Sequence, residues 1–215
     1  MSDSRRQILD ALRAARRPFT AAEPLEEYRP MIPRGPVGAA ALAEQFTLQA
    51  EQQAAQVHRA ADDDQALEML LTLLQGRQAI ACWDPGEIAL PGLAETLREA
   101  AIGIAEPQDA RPEVGLTGAL AGLAATGSLV LSSGPGLYRN TSLLPPVHIA
   151  VLRQKQILPD LESWFALQRE QNFLHLRLAS NIVIITGPSR TADIAMELVM
   201  GMHGPRELHV ILVQD

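Results

Sequence analysis

The chain has 215 residues, 47% of them apolar and 20% charged, with a net charge of −7, a pI near 5.3 and a mean hydropathy of +0.03. That length suits one α/β domain, or a core domain with an appendage, and the composition excludes intrinsic disorder while the acidic balance argues against nucleic acid as a partner. The single cysteine, Cys82, excludes intramolecular disulfides, a zinc ribbon and a self-contained iron–sulfur cluster, which needs about four thiolates.

Residues 1–17 place Ile8, Leu9 and Leu12 on one side of a helix that also carries Arg5, Arg6, Arg13, Arg16 and Arg17. A solvated helix with a thin apolar stripe accounts for this pattern, and so does a basic docking arm for an acidic partner or a neighbouring subunit. The segment lacks the apolar core of an export signal, and no apolar run reaches the roughly 20 residues of a membrane span, so a cytoplasmic location is expected. Five prolines between Pro18 and Pro36 predict an extended connector. The expected division is therefore 1–36, a basic helix and proline-rich connector, and 37–215, the α/β body.

Within the body, residues 38–53 predict a helix, and Ala55–Ala60 is ambiguous between helix continuation and strand. A helix is expected over 63–75, because Asp62, Asp63 and Asp64 favour its start and Ala66, Leu67, Leu70 and Leu74 share a face. Gln78–Cys82 predicts a strand, Leu90–Ala100 a helix and Ala101–Ala105 a short strand. Val114–Thr117 predicts a strand that leads through a small-residue turn to another at Ser128–Ser132. Pro146–Leu152 predicts the next strand, then a helix follows from about Pro159 to Arg169. Asn181–Thr186 and Leu208–Val213 complete the strands, with a helix over Ala192–Met202 between them. Strands alternating with helices imply a three-layer, Rossmann-like sandwich around a mostly parallel sheet.

Two loops carry candidate ligand chemistry. The apolar run Ile182–Ile185 ends at Gly187-Pro188, and Ser189 or Thr191 is expected to cap the helix that follows. Backbone amides there, with the Arg190 guanidinium, would suit a carboxylate or phosphate, whereas Asp193 in the first turn would oppose one. The second loop, Ser133–Ser142, follows another strand and holds Arg139 and Asn140. If all strands are parallel, both loops and Thr117 share the carboxyl edge, where open α/β sheets take ligands. The candidate crevice is then Thr117, Arg139, Asn140, Gly187, Ser189, Arg190 and Thr191; ordinary turn chemistry explains the same residues. His203-Gly204-Pro205 reads as a helix stop at the opposite edge, which separates His203 from Arg190. His148 and His209 fall in strand patterns and read as core histidines, Cys82 as inert core, and Lys155, the one lysine, as a surface residue.

Three segments together resemble the LUD-domain family, and within it its lactate-utilisation branch. They are Val114–Leu131 (VGLTGALAGLAATGSLVL), Ser142–Leu152 (SLLPPVHIAVL) and Gly187–Val213 (GPSRTADIAMELVMGMHGPRELHVILV), about half the chain in matching order and spacing. The resemblance implies a fold of the sugar-phosphate isomerase and coenzyme A transferase class. It also implies a role in oxidising L-lactate to pyruvate beside partner proteins that carry the cysteine-rich and iron–sulfur parts, with no cofactor bound by this chain itself. Where the family has an acidic residue before Thr126-Gly127, this chain has Ala125, and Ser128 stands for the usual threonine. A carboxylate role at that position is thereby in doubt. Two readings follow: an accessory, non-redox subunit of a lactate-oxidising system, or an enzyme or binder that uses the crevice for a small anion.

Overall fold

The computed structural model describes residues 2–15, 38–192 and 198–215. The chain divides into two units, Met1–Pro33 and Arg34–Asp215. In the first, α1 (Ser2–Ala15) exposes Ile8, Leu9 and Leu12, and Arg13 pairs with Asp10 one turn earlier at 3.2 Å. The proline-rich connector expected up to residue 36 lies outside the described residues.

The second unit opens with α2 (Ala39–Gln52), which buries Ala43, Phe46 and Ala50. The ambiguous stretch after it is a strand, β1 (Gln56–Ala60). In α3 (Asp63–Leu73), Asp62 is the N-cap and accepts from the Gln65 amide at 2.8 Å, while Ala66 and Leu70 face inward. Then come β2 (Ala79–Cys82), α4 (Leu93–Glu99), β3 (Gly103–Ile104) and β4 (Val114–Gly118). Two further strands, β5 (Ala121–Leu123) and β6 (Ser128–Ser133), precede β7 (Val147–Arg153). After β8 (Ile157–Leu158), Asp160 caps α5 (Leu161–Glu170), which is followed by α6 (Leu174–Leu178) and β9 (Asn181–Ile185). The chain closes with β10 (Arg190–Ala192), β11 (Leu198–Met200) and β12 (Glu207–Val213).

Six strands form a central sheet in the order β1-β12-β7-β4-β2-β3, and every pairing in it is parallel. Its middle strands, β4, β7 and β12, are almost wholly buried, as expected for apolar runs covered on both faces. The chain is thus a mixed α/β protein with a mostly parallel central sheet and a helical N-terminal part.

A second sheet, β8-β5-β6-β9, departs from the expected topology. Its β6 runs antiparallel to both β5 and β9, with Leu129 opposite Ile185 and Ser133 opposite Asn181. The strands at 128–132 and 181–186 therefore do not belong to the parallel sheet. The expected helix over Ala192–Met202 also fails at both ends, because β10 and β11 pair antiparallel with Thr191 opposite Val199. Two β-branched residues meet across that ladder, and the pairing overrides the helical propensity of the surrounding Ala, Leu and Met. No helix follows the 187–191 loop directly, so Ser189 and Thr191 cap none; Asp193 lies outside the described residues.

Close approach to the central sheet depends on Gly115 in β4. A Cβ there would overlap the carbonyl oxygen of Thr141, in the 3-10 turn Arg139–Ser142. Only glycine lets that turn lie flat against the sheet.

Candidate functional site

Between the two sheets, where β7 and β12 begin and β9 ends, lies a cleft of about 200 Å³. Ser142, the last residue of the turn that Gly115 admits, and Leu143 after it form one wall. Ile184, Ile185 and Thr186 at the end of β9 form another, continued by Gly187, Pro188 and Ser189. His148 and Leu208, each the second residue of its strand, close the side toward the sheet, and His203, Gly204 and Pro205 complete the lining.

Backbone bonds hold the two sides together. The Ser189 amide donates to the Pro205 carbonyl at 2.8 Å, and the Gly201 amide donates to the Ser189 carbonyl at 2.9 Å. The chain that leaves the cleft at Ser189 is in this way brought back to it at His203. Gly187 makes the turn with φ +73°, in the left-handed region, and a Cβ on it would overlap the Gln53 carbonyl at the end of α2.

The chemical centre of the cleft is His148. It is 1% exposed, and its Nε2 lies 2.8 Å from the Thr117 Oγ1, itself fully buried on β4. Burial pushes the imidazole down to about 4, so the ring is neutral at pH 7. The neutral ring keeps one donor and one acceptor, which makes it a hydrogen-bonding group rather than a charged one. Hydroxyls continue outward from the cleft: Thr186 Oγ1 lies 2.7 Å from Ser128 Oγ, which lies 2.7 Å from Thr126 Oγ1. The turn that carries Ala125 is thus two hydrogen bonds from the cleft wall.

The residues expected to form a site are distributed rather than gathered. Gly187 and Ser189 line the cleft, and Thr117 stands behind it as the partner of His148. Arg190 is exposed and donates to the Gln53 carbonyl. Thr191 pairs within β10. Arg139 and Asn140 are exposed, and the Asn140 amide donates to the Pro107 carbonyl at 3.2 Å beside a different, smaller hollow that reaches Cys82. The shared carboxyl edge fails because β6 and β9 are antiparallel, so the loops that follow them leave opposite ends of the second sheet. The cleft instead meets the central sheet at its amino edge.

His203 corrects a second expectation. It was separated from the 187–191 loop by a helix that is absent at both ends, and in the structure the two line one cleft. Ser142 closes the candidate loop Ser133–Ser142 but is not in the expected crevice set, and His148 reads as a core histidine. Each looks like core or turn on its own segment, and only the topology brings them together.

Away from the cleft, His58 on β1 and His209 on β12 stack with ring centroids 5.3 Å apart, Nε2 to Nδ1 at 3.0 Å, and Glu207 lies 3.6 Å beyond His209. Cys82 is buried, and burial, with Asp84 adding to it, pushes its thiol up to about 12. Among the described residues no helix is long and apolar enough to cross a membrane, and no group of three or more His, Cys, Asp or Glu is placed to hold a metal ion.

Comparison with known proteins gives consistent matches. The LUD domain family profile matches residues 43–213. A lactate utilization protein C from a Geobacillus strain is 41% identical over 102 residues, covering 47% of this chain and 42% of that protein. Its namesake from Halalkalibacterium halodurans is 36% identical over 151 residues, covering 67% of this chain and 57% of that protein. The chain thus matches about half the length of these curated relatives. The crystal structure of a DUF162 family protein from Deinococcus radiodurans superposes with a TM-score of 0.59 at 21% identity, covering 83% of this chain and 99% of that one, a likeness of fold.

Proposed function

The chain belongs to the LUD-domain family, and from that premise we propose that it serves lactate utilisation as a supporting, non-redox subunit of a system that oxidises L-lactate to pyruvate. The observation that carries the supporting role is the state of Cys82. Oxidising lactate removes two electrons, which an iron–sulfur system passes through thiolate-held clusters. The one thiol of this chain is buried at the end of β2, and burial pushes it up to about 12, which disfavours the thiolate that a cluster ligand or a nucleophile needs. The electrons are then carried by cysteine-rich and iron–sulfur partners, for which the basic N-terminal segment and the acidic body supply surfaces of opposite charge.

Deleting the gene for this chain tests the reading. The deletion strain is expected to grow on pyruvate and to fail on L-lactate, with growth restored by the intact chain. An affinity-tagged copy from lactate-grown cells should retain a protein with the visible absorbance of an iron–sulfur cluster. Normal growth of the deletion strain on L-lactate would sink the reading.

A second reading, a small-molecule enzyme or binder, is favoured by one specific observation. The Thr117–His148 pair places a neutral imidazole in the lining of the cleft. Small compounds that bind the native chain raise its melting temperature, and this reading requires at least one that does.

A further inference from the structure

The cleft has a feature that decides what it can hold. None of its described lining side chains is an aspartate, glutamate, lysine or arginine. Neither of the two cations expected there lines it: Arg190 donates to the Gln53 carbonyl, and Arg139 lies in an exposed turn outside the cleft. The segment 193–197, which joins β10 to β11, reads Asp-Ile-Ala-Met-Glu and contains no cation. An anion entering the cleft would lose water and meet no lysine or arginine there, only the imidazoles of His148 and His203 and uncharged hydroxyls, which disfavours it.

The polar groups that are present point to a different ligand. His148 uses Nε2 on Thr117, and its Nδ1 makes no hydrogen bond within the described residues. Ser189 Oγ likewise makes none, while Ser142 Oγ donates to the Arg139 carbonyl at a long 3.3 Å and keeps its lone pairs. Between these polar atoms the walls are apolar, at Leu143, Ile185 and Leu208. The volume is below the roughly 300–1,000 Å³ of pockets for drug-sized ligands, so the occupant is compact.

We propose that the cleft is a binding site for a small uncharged molecule carrying hydroxyl or carbonyl groups, held between the imidazole of His148 and the hydroxyls of Ser142 and Ser189. The assignment rests on the small-molecule reading above and narrows its ligand from an anion to a neutral polar compound. It also moves the site from the carboxyl edge of the central sheet to the amino edge. A deep imidazole that is neutral near pH 7 discriminates there by hydrogen bonding, and such a site rejects analogues that leave its polar groups unpaired.

Nuclear magnetic resonance of the ring signals tests this on the intact chain at pH 8, where an ordinary exposed imidazole is neutral. The His148 resonances are assigned by their disappearance in His148→Gln. Dihydroxyacetone and glycerol serve as uncharged probes, and L-lactate and inorganic phosphate as anionic ones. The expected result is a saturable shift of the His148 signals with an uncharged probe and none with the anions at equal concentration. Ser189→Ala, at a half-buried position, should leave the fold intact and weaken that binding about two- to tenfold, the effect of one hydrogen bond. A saturable His148 shift with lactate or phosphate instead would overturn the uncharged class and keep the cleft as a site. No shift with any of the four probes would overturn the site itself.

Discussion

The two edges of the central sheet have been used in opposite ways. At the carboxyl edge, Arg153 ends β7 with its guanidinium 2.5 Å from Asp63 and a further bond of 2.8 Å to the Ala89 carbonyl. Beside it Lys155 pairs with Asp215 at 3.0 Å, and the Gln156 amide donates to the Ala119 carbonyl at 2.7 Å. The charged and polar side chains at this edge are spent on binding the chain to itself. At the amino edge of β7 and β12 the second sheet stands off and leaves an uncharged cleft. Open parallel sheets take ligands at the carboxyl edge because crossovers part there and helix N-termini point at the gap. Here an inserted antiparallel sheet supplies the gap at the other end, so the rule for a purely parallel fold does not place the site.

Three substitutions and a titration break or sharpen that contrast. The largest effect is expected from Gly115→Ala. Its new Cβ collides with the backbone oxygen of Thr141, which cannot swing aside as a side chain would. The turn carrying Ser142 must lift off the sheet, at a cost of roughly 3 kcal/mol. Urea unfolding reads the loss, and a cost below about 1 kcal/mol would show that this wall of the cleft is not rigidly seated.

Acid tests the cleft through His148. Its folded value, about 4, lies below the 6.5 of a free imidazole, so between these values the unfolded chain binds more protons. Stability is full above about pH 6.5 and is lost as pH falls toward 4, by roughly 3 kcal/mol for a shift of this size. Burial also lowers His58 and His209, Glu207 partly offsetting it at His209, and these act in the same direction. The loss between pH 7 and 4.5 should be smaller in His148→Gln than in the parent chain, by denaturant unfolding at both values. Equal losses would show that His148 is not held neutral.

At the opposite edge, Arg153→Met is expected to cost about 1–2 kcal/mol. Arg153 is 12% exposed but Asp63 is 35% exposed, so solvent screens part of the pair, and the remainder comes from the buried Asp63 Oδ1, left without its counter-charge. Raising the salt concentration should narrow the gap to the parent protein. Binding of an uncharged probe at the amino edge should not change, because the two edges share no side chain.

These contrasts were unevenly legible in the sequence. The strands β4, β7 and β12 show as apolar runs within about a residue of their true ends, because burial on both faces leaves that mark. The start of α3 was legible from the acidic run Asp62–Asp64, whose charge suits a helix N-terminus, though not that Asp62 is the cap. The second sheet was not. In β5 the only residues are Ala121, Gly122 and Leu123, and Gly122 is small because Leu152 and Phe46 crowd it, a packing reason with no period along the chain. Strand direction is decided by pairing partners, so the apolar runs of β6 and β9 do not reveal the antiparallel ladder that sets Leu129 opposite Ile185. The cleft draws Ser142, His148, Ser189 and His203 from segments whose nearness depends on that direction. The Gly187–Ser189 turn was visible, but the arginine beside it drew the chemistry toward an anion.

Arg190→Ala addresses that arginine and carries the smallest expected effect. The guanidinium is exposed and donates to the Gln53 carbonyl, the C-cap of α2, whose backbone also abuts Gly187. Removing it leaves the carbonyl open to water, which replaces the bond at little cost, so the loss should stay below about 1 kcal/mol. An anion held by this side chain would instead require its binding to vanish in the variant. Thermal shift with inorganic phosphate or L-lactate against parent and variant separates the cases. If either anion stabilises the parent and not the variant, Arg190 leaves Gln53 to grip a ligand, and the amino-edge cleft is only half of the site. If neither anion stabilises either form, the arginine is a clasp between α2 and the 187–191 turn, and its work is to hold Ser189 where the cleft needs it.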